Sequence, residues 1–232
     1  MKIGFFGKLP GYGDFVQRNV SPEFIKYWDN WVLQSLSSSR DQLGESWRNR
    51  YFNSPIWRFV ISQDDASHTP VAGFVMPSVD KAGRCYPFTV VCQAESEVNP
   101  FILARKIDLI HEVGEDFALS LLENIKPDLD EITVVLNEIY QSLQESNCQS
   151  AGTKPVTSVM ELACVTDIDS LDFTLGNESF LHMLLNKQNV NMSIWSMGNT
   201  EGTNPQIRYF SGMPPTDNYY SFLLADENQE SY

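Results

Sequence analysis

The chain has 232 residues, of which 42% are hydrophobic and 12% aromatic, and this composition is typical of a folded domain rather than a disordered segment. Thirty acidic and sixteen basic residues give a net charge of −14, which repels nucleic acid and anionic lipid unless basic residues gather locally. The nearest approach to a basic cluster along the sequence is Arg48 with Arg50. The composition therefore argues against nucleic-acid and membrane binding. It suits either protein partners with basic faces or solubility alone.

The cysteines and the N-terminus indicate the cellular compartment. The four cysteines lie far apart without a C-x-x-C pair, so the sequence predicts neither a zinc site nor a thioredoxin-like motif. The first residues lack the apolar core of a signal peptide, and no stretch approaches the ~18 apolar residues of a membrane helix. These features predict a cytoplasmic protein with free thiols and no membrane insertion.

The chain begins with a predicted strand at residues 2–6, which a glycine-rich turn ends. Ser21 and Pro22 then predict a helix start, with serine as N-cap and proline at the first helical position. The apolar face of this helix has residues at helical spacing, namely Phe24, Trp28, Trp31, Val32 and Ser35. The helix is predicted to run to about Leu43 and to end at Gly44, and a further short turn of helix is predicted around Trp47 and Tyr51.

Three strand-like runs follow, at residues 56–62, 71–79 and 86–94. The connections between them are short, which favours an antiparallel meander over crossover-linked parallel strands. Asn99 and Pro100 repeat the cap-plus-proline signal for a long helix. The apolar stripe of this helix comprises Leu103, Ile107, Ile110, Phe117 and Leu121. A second helix follows, and its apolar stripe comprises Ile132, Val135, Leu136, Ile139 and Leu143.

The C-terminal third predicts a linker, a helix and two strands. Residues 145–157 are polar and rich in turn formers, so they are the best candidate boundary. A helix at 179–187 and strands at 190–198 and 207–212 follow. The expected fold is an α+β domain, an antiparallel sheet flanked by helices. It comprises a core at residues 1–145 and an extension at 146–232 that packs on the same domain.

The sequence nominates no catalytic residue, metal ligand or cofactor. The opening "GFFGKLPGYGDF" does not match a Walker A loop, because Leu9 and Pro10 follow Lys8 where a serine or threonine would enter a helix. The three histidines share no metal-ligand spacing, and neither a G-x-S-x-G elbow nor an S-x-x-K motif occurs. The glycines of the opening stretch therefore predict a strand that ends in tight turns.

Polar residues in an aromatic, turn-rich context are the candidate protein-binding residues. They are Asp14, Phe15, Ser54, Trp57, Arg58, Asp80 and Arg84. If the strands pair as predicted, Asp14, Arg58, Asp80 and Arg84 converge at one end of the sheet. Two interpretations are open: the aspartates cap turns and pair with the arginines, or the arginines and aromatic residues form a recognition surface.

Several motifs, in order, resemble the TagF family of accessory proteins of bacterial type VI secretion systems. They are "GFFGKLPGYGDFVQR", a helix with paired tryptophans, "SPIWRF" and "VAGFVMPSVDKAGRCYPF", followed by the thinner matches "SIWSMG" and "SGMPP". The positions of these motifs that are expected to be structural are Gly4, Gly7, Pro10, Gly13, Pro55, Pro77, Gly83, Pro87 and Trp195. The order of strands and helices is also similar to longin and profilin-like domains.

The resemblance implies a cytoplasmic, non-enzymatic regulator that represses type VI secretion after translation by binding the system's forkhead-associated scaffold protein. Two alternatives stay open. One is a ligand-sensing or hydrolytic domain that uses Asp14, Arg58, Asp80 and Arg84 on a phosphate or nucleotide. The other is a structural assembly factor, whose deletion would reduce secretion rather than raise it.

Overall fold

A computed structural model describes the chain in eight segments: residues 2–62, 69–94, 100–123, 126–146, 153–158, 161–166, 191–198 and 205–224. Within these segments the chain is α+β, with an antiparallel sheet and helices on both of its faces. No helix in these segments has both the length and the apolar composition needed to span a membrane.

The described strands are β1 (Lys2–Gly7), β2 (Val16–Arg18), β3 (Trp57–Ile61), β4 (Val71–Met76), β5 (Phe88–Gln93), β6 (Thr153–Ser158), β7 (Glu161–Thr166), β8 (Met192–Met197) and β9 (Gln206–Ser211). Seven of them form one sheet in the order β2-β1-β5-β4-β3-β8-β9, and every neighbouring pair is antiparallel. Strands β6 and β7 form a separate hairpin.

The described helices are α1 (Pro22–Leu43), α2 (Trp47–Phe52), α3 (Pro100–Glu123), α4 (Leu129–Ser146) and α5 (Tyr220–Leu223). Helices α1, α2 and α5 share one hydrophobic core with one face of the sheet. Helices α3 and α4 pack against the other face. The sheet alternates its side chains between these two cores, so most of its strand residues are buried.

The local signals at the start of α1 act as predicted. The Ser21 hydroxyl accepts a hydrogen bond from the Phe24 backbone N–H at 3.3 Å, and Pro22 occupies the first helical turn. Gly44 ends the helix with φ of 52°, a left-handed value that glycine adopts without strain. Trp28 on the buried face donates to Thr89 Oγ1 at 3.0 Å, which ties α1 to the centre of the sheet.

The predicted meander, both long helices and both C-terminal strands are confirmed. Most of their observed ends lie within about two residues of the predicted ends. The linker prediction at 145–157 is wrong in part, because α4 continues to Ser146 and residues 153–157 belong to β6. The short edge strand β2 was not predicted. The predicted helix at 179–187 lies outside the described residues, as do the side chains of Ile107, Ile110 and Leu143. The longin or profilin-like core stays a prediction.

The C-terminal strands continue the sheet that the first part of the chain begins. β8 pairs with β3, and the Trp195 ring on β8 lies between residues of α1 and β3 at centroid distances of 5.2 Å from Trp31 and 5.4 Å from Phe59. The main aromatic core therefore contains residues from both parts of the chain.

Candidate functional site

The turn between β4 and β5, residues 80–84, is organised by one carboxylate. Asp80 Oδ1 accepts hydrogen bonds from the backbone N–H groups of Ala82 at 2.9 Å and of Arg84 at 3.0 Å. Gly83 has φ of +77°, which a residue with a side chain rarely adopts. We call these residues the Asp80 turn; aspartate and glycine at these positions are what a tight turn requires.

The second oxygen of Asp80 holds two cations. Oδ2 lies 3.0 Å from Lys8 Nζ and 2.6 Å from Arg84 Nε, and the Asp80 side chain is fully buried. Burial favours the neutral acid, but the hydrogen bonds from the Arg84 backbone and from both cations outweigh it and hold the pKa of Asp80 well below its usual range. Asp80 is therefore ionised at neutral pH and acts as a structural anion.

The Asp80 turn also binds the glycine-rich opening loop. Arg84 Nη2 donates to the Gly13 carbonyl at 2.8 Å, and the Lys81 backbone N–H donates to the Tyr12 carbonyl at 2.8 Å. The Lys8 ammonium lies 5.1 Å from the centroid of the Phe15 ring, and that ring meets Tyr86 edge-on at 4.7 Å. The opening loop is thus held by the fold itself.

The seven predicted binding residues divide into two groups. Asp80 and Arg84 are paired, and the loop that carries Asp14 and Phe15 is bound to them. Both of these loop residues are exposed, and Asp14 Oδ1 accepts from the Phe15 N–H at 2.8 Å. Asp14, Phe15 and Arg84 are exposed next to one another, and the buried Asp80 lies beneath them.

The other three residues lie elsewhere. Arg58 pairs with Glu115 of α3 at 2.8 Å, and it is not among the partners of Asp80. Ser54 donates to the Tyr51 carbonyl at 2.8 Å, which closes the end of α2. Trp57 is buried and donates to the Phe222 carbonyl at 3.1 Å, so its ring is not exposed for contact with a partner. The register of β3 with β4 places Arg58 at the same end of the sheet as the Asp80 turn, as predicted. Its side chain, however, lies on the face that α3 covers and pairs with Glu115, so it does not meet Asp80.

The glycines expected to be structural differ in how closely other atoms approach them. A Cβ on Gly4 or Gly7 would overlap the carbonyl oxygen of Arg18 or Pro87, respectively, and Gly7 also has φ of +143°. A Cβ on Gly13 would meet nothing within 4 Å. Gly4 and Gly7 are thus required by the close approach of neighbouring backbone, whereas Gly13 is not.

The prolines and Trp195 of the same motifs have packing roles. Pro55, Pro77, Pro87 and Trp195 line a cavity of about 10 Å³, close to the volume needed for one water molecule. Pro10 is half-buried where the opening loop begins. Pro55, Pro77, Pro87 and Trp195 therefore contribute to the packing of the protein interior.

A cluster of exposed cations surrounds the Asp80 turn, and the linear sequence does not reveal it. Arg48 of α2 lies 3.5 Å from the Gly83 carbonyl and 3.7 Å from Cys85 Sγ. The Arg40 guanidinium lies over the Trp47 ring at 4.2 Å. Together with Lys81 and Arg84 on the turn, these residues form what we call the basic surface: Arg40, Arg48, Lys81 and Arg84. Along the sequence, Arg48 with Arg50 was the nearest approach to a basic cluster, whereas the fold brings Arg48 close to cations from other parts of the chain.

The position of α2 is set by a buried tyrosine. The Tyr51 hydroxyl donates to the Ser78 carbonyl at 2.9 Å and accepts from the Ser78 N–H at 3.0 Å, just before the Asp80 turn. Burial raises the pKa of Tyr51 well above its usual value. Burial also raises the pKa of the Cys85 thiol in spite of nearby Arg48 and Arg40, so the thiol is protonated at neutral pH.

Comparisons with known proteins are consistent with this architecture. The family model for the TagF N-terminal domain, described as type VI secretion system-associated, matches residues 4–138. The crystal structure of PA0076 from Pseudomonas aeruginosa PAO1 is similar over 100% of this chain and 97% of that chain, with a TM-score of 0.71 and 25% sequence identity. No curated protein matches the chain significantly.

Proposed function

Because this chain belongs to the TagF family of type VI secretion-associated proteins, we propose that it is a non-enzymatic regulator that represses assembly of the secretion system after translation. It acts in the cytoplasm by binding the system's forkhead-associated scaffold protein. The observation that carries the proposal is the family match over residues 4–138. That match includes the opening loop, the Asp80 turn and α2.

The geometry around the Asp80 turn supports binding rather than catalysis. The Asp80 carboxylate is buried and already accepts hydrogen bonds from two cations and two backbone N–H groups. A general base or acid needs a carboxylate that reaches the substrate and has a pKa near the working pH. Asp80 meets neither condition.

The separation of the four polar residues favours the regulator over a ligand-sensing or hydrolytic domain. Arg58 binds Glu115, whereas Asp80 and Arg84 bind each other. A phosphate site needs several donors directed at one point. The two arginines suggested for such a site are instead paired with different carboxylates, Arg58 with Glu115 and Arg84 with Asp80.

A binding and secretion experiment tests the proposal. The tagged chain and the purified forkhead-associated scaffold protein of the same secretion system are mixed, and binding is measured by calorimetry. Secretion of a type VI substrate is measured in a strain that lacks the chain's gene. We expect a complex in the first experiment and increased secretion in the second.

Absence of the complex, together with unchanged secretion, would refute the proposal. Binding with reduced secretion would instead identify a structural assembly factor. Asp80→Asn serves as a control for catalysis. Because no chemical step depends on Asp80, repression by this variant should fall only as far as the amount of folded protein falls.

A further inference from the structure

We propose that the basic surface, flanked by the exposed rings of Phe15 and Phe52, binds an acidic segment of the protein partner. The inference deepens the proposed function and rests on it, because the partner is taken to be the forkhead-associated scaffold. It specifies the chemistry of the contact: carboxylates on the partner meet guanidinium and ammonium groups on this chain.

The basic surface is continuous across three parts of the fold. Arg48 joins α2 to the Asp80 turn through its contacts with the Gly83 carbonyl and Cys85. Arg84 joins the turn to the opening loop through the Gly13 carbonyl. Arg40, at the end of α1, lies over Trp47, the residue that precedes Arg48. One partner segment can therefore contact all of these elements together.

Most of the positive charge on this surface is not neutralised within the described residues. Arg40, Arg48 and Lys81 are exposed, and no described carboxylate forms an ion pair with them. Arg84 pairs with Asp80, but 64% of its side chain is still exposed and Asp80 is also shared with Lys8. The exposed carboxylates next to this surface along the chain are Asp14, Asp41 and Glu45. Their number is smaller than that of the cations.

Two aromatic rings give this surface the composition of a binding hot spot. Phe15 and Phe52 are each 42% exposed, and the Arg48 guanidinium lies 5.1 Å from the centroid of the Phe52 ring. Arginine and aromatic residues are enriched where protein interfaces gain most of their binding energy. Stacking also holds the Arg48 guanidinium in place before the partner arrives, which reduces the entropy lost on binding.

The charge of the whole molecule favours a short acidic segment over nucleic acid. With a net charge of −14, the chain as a whole repels a long polyanion. Double-stranded DNA carries one negative charge per ~1.7 Å and extends well beyond a patch of four cations. An acidic protein segment can place its few carboxylates on the patch alone, and the surrounding repulsion orients its approach.

Charge reversal tests the inference, with a control on the same protein. Arg48→Glu removes a central cation of the surface, and Lys26→Glu makes the same change in net charge at an exposed position near the start of α1. Binding of the forkhead-associated scaffold protein is measured for each variant. Binding is also measured for fluorescent poly-L-glutamate of only a few residues, which is short enough to lie on the basic surface alone. We expect Arg48→Glu to weaken both by about tenfold or more and Lys26→Glu to change them by about twofold or less. Raising the salt concentration should weaken binding of the wild-type chain.

The two probes separate this inference from the proposed function. If the scaffold binds the wild type and Arg48→Glu equally, the inference is overturned and the proposed function stands. If the scaffold does not bind but poly-L-glutamate binds the wild type and not Arg48→Glu, the acidic-segment surface stands and the proposed partner fails. Failure of both probes to bind the wild type overturns the inference. The inference is also overturned if a single-stranded DNA of equal charge binds the wild type more tightly than poly-L-glutamate does.

Folding of the variants is checked through their thermal midpoints. Should Arg48→Glu unfold, Arg48→Gln with Lys81→Gln removes the two charges without introducing new ones. The inference is supported if these two substitutions weaken scaffold binding and Lys26→Gln does not. Unchanged binding contradicts it.

Discussion

Asp80 shows how one side chain serves several parts of this fold. One of its oxygens closes its own turn through two backbone N–H groups, and the other holds Lys8 of the opening loop and Arg84 of the turn. A buried carboxylate is tolerated because every one of these interactions favours its charged form. The same interactions hold the basic surface in position.

We expect Asp80→Asn to reduce the free energy of unfolding by about 3 kcal/mol, because it leaves the buried Lys8 ammonium without its counter-charge. Chemical denaturation measures the change. Asp14→Asn serves as the control, since Asp14 is exposed, and it should cost less than about 0.5 kcal/mol. Equal stability of the two variants would show that the buried pair contributes little.

Acid should remove the contribution of Asp80. Its pKa is lowered in the folded state, so the folded protein binds fewer protons than the unfolded chain, where an aspartate titrates near pH ~3.9. The stabilisation is complete above that pH and is lost as the pH falls towards the folded pKa. The difference in unfolding free energy between the wild type and Asp80→Asn should therefore narrow below about pH 4. A difference that stays constant down to pH ~2 would contradict the assignment.

At the scale of elements, β1 and the loop after it carry glycines of different importance. Gly7→Ala places a Cβ against the Pro87 backbone and strains a positive φ, so we expect a loss of about 2 kcal/mol or more. Gly13→Ala enters open space and should change stability by less than about 1 kcal/mol. Urea unfolding of both variants makes the comparison, and a larger loss for Gly13 would reverse the roles.

Helix α1 is held on the sheet by its tryptophans. Trp28 is fully buried, stacks against the Trp195 ring at 6.1 Å and donates to Thr89. Trp28→Ala should cost about 3–5 kcal/mol in unfolding free energy, as is usual for a large aromatic residue in a core. Leu33→Ala on the exposed face of the same helix is the control, with an expected change of about 0.5 kcal/mol or less. Similar unfolding midpoints for the two would argue against this packing.

At the scale of the whole molecule, the sheet joins the two parts of the chain that the sequence suggested as core and extension. β8 covers the edge of β3, and Trp195 fills the core between α1 and the sheet. The family match ends at residue 138, before β8. The matched region thus shares its main core with residues beyond it.

We expect a fragment of residues 1–145 to lose cooperative unfolding, because it exposes β3 and removes Trp195 from the aromatic core. Near-ultraviolet circular dichroism during urea titration is the measurement. As a control in the full chain, Ile207→Ala on β9 should have little effect, since 62% of Ile207 is exposed. If the fragment unfolds at the same urea midpoint as the full chain, residues 1–145 fold independently of the C-terminal strands.

Local sequence was sufficient for the features that depend on neighbours along the chain. Ser21 and Pro22 begin α1 because a serine side chain and a proline ring act within one turn of backbone. The strand runs identified the meander because short connections leave antiparallel pairing as the favoured arrangement. The family was also identifiable, since its motifs are contiguous stretches. These predictions needed no knowledge of distant contacts.

Only the tertiary structure decided which charges meet. Arg40, Arg48, Lys81 and Arg84 are separated along the chain, and they gather because Tyr51 anchors α2 beside the Asp80 turn. The sequence suggested that Arg58 lies near Asp80, but the position of Arg58 on β3 directs its side chain to Glu115 of α3. Residue type and spacing determine what a side chain can bind. The pairing of strands and the packing of helices determine what lies within its reach.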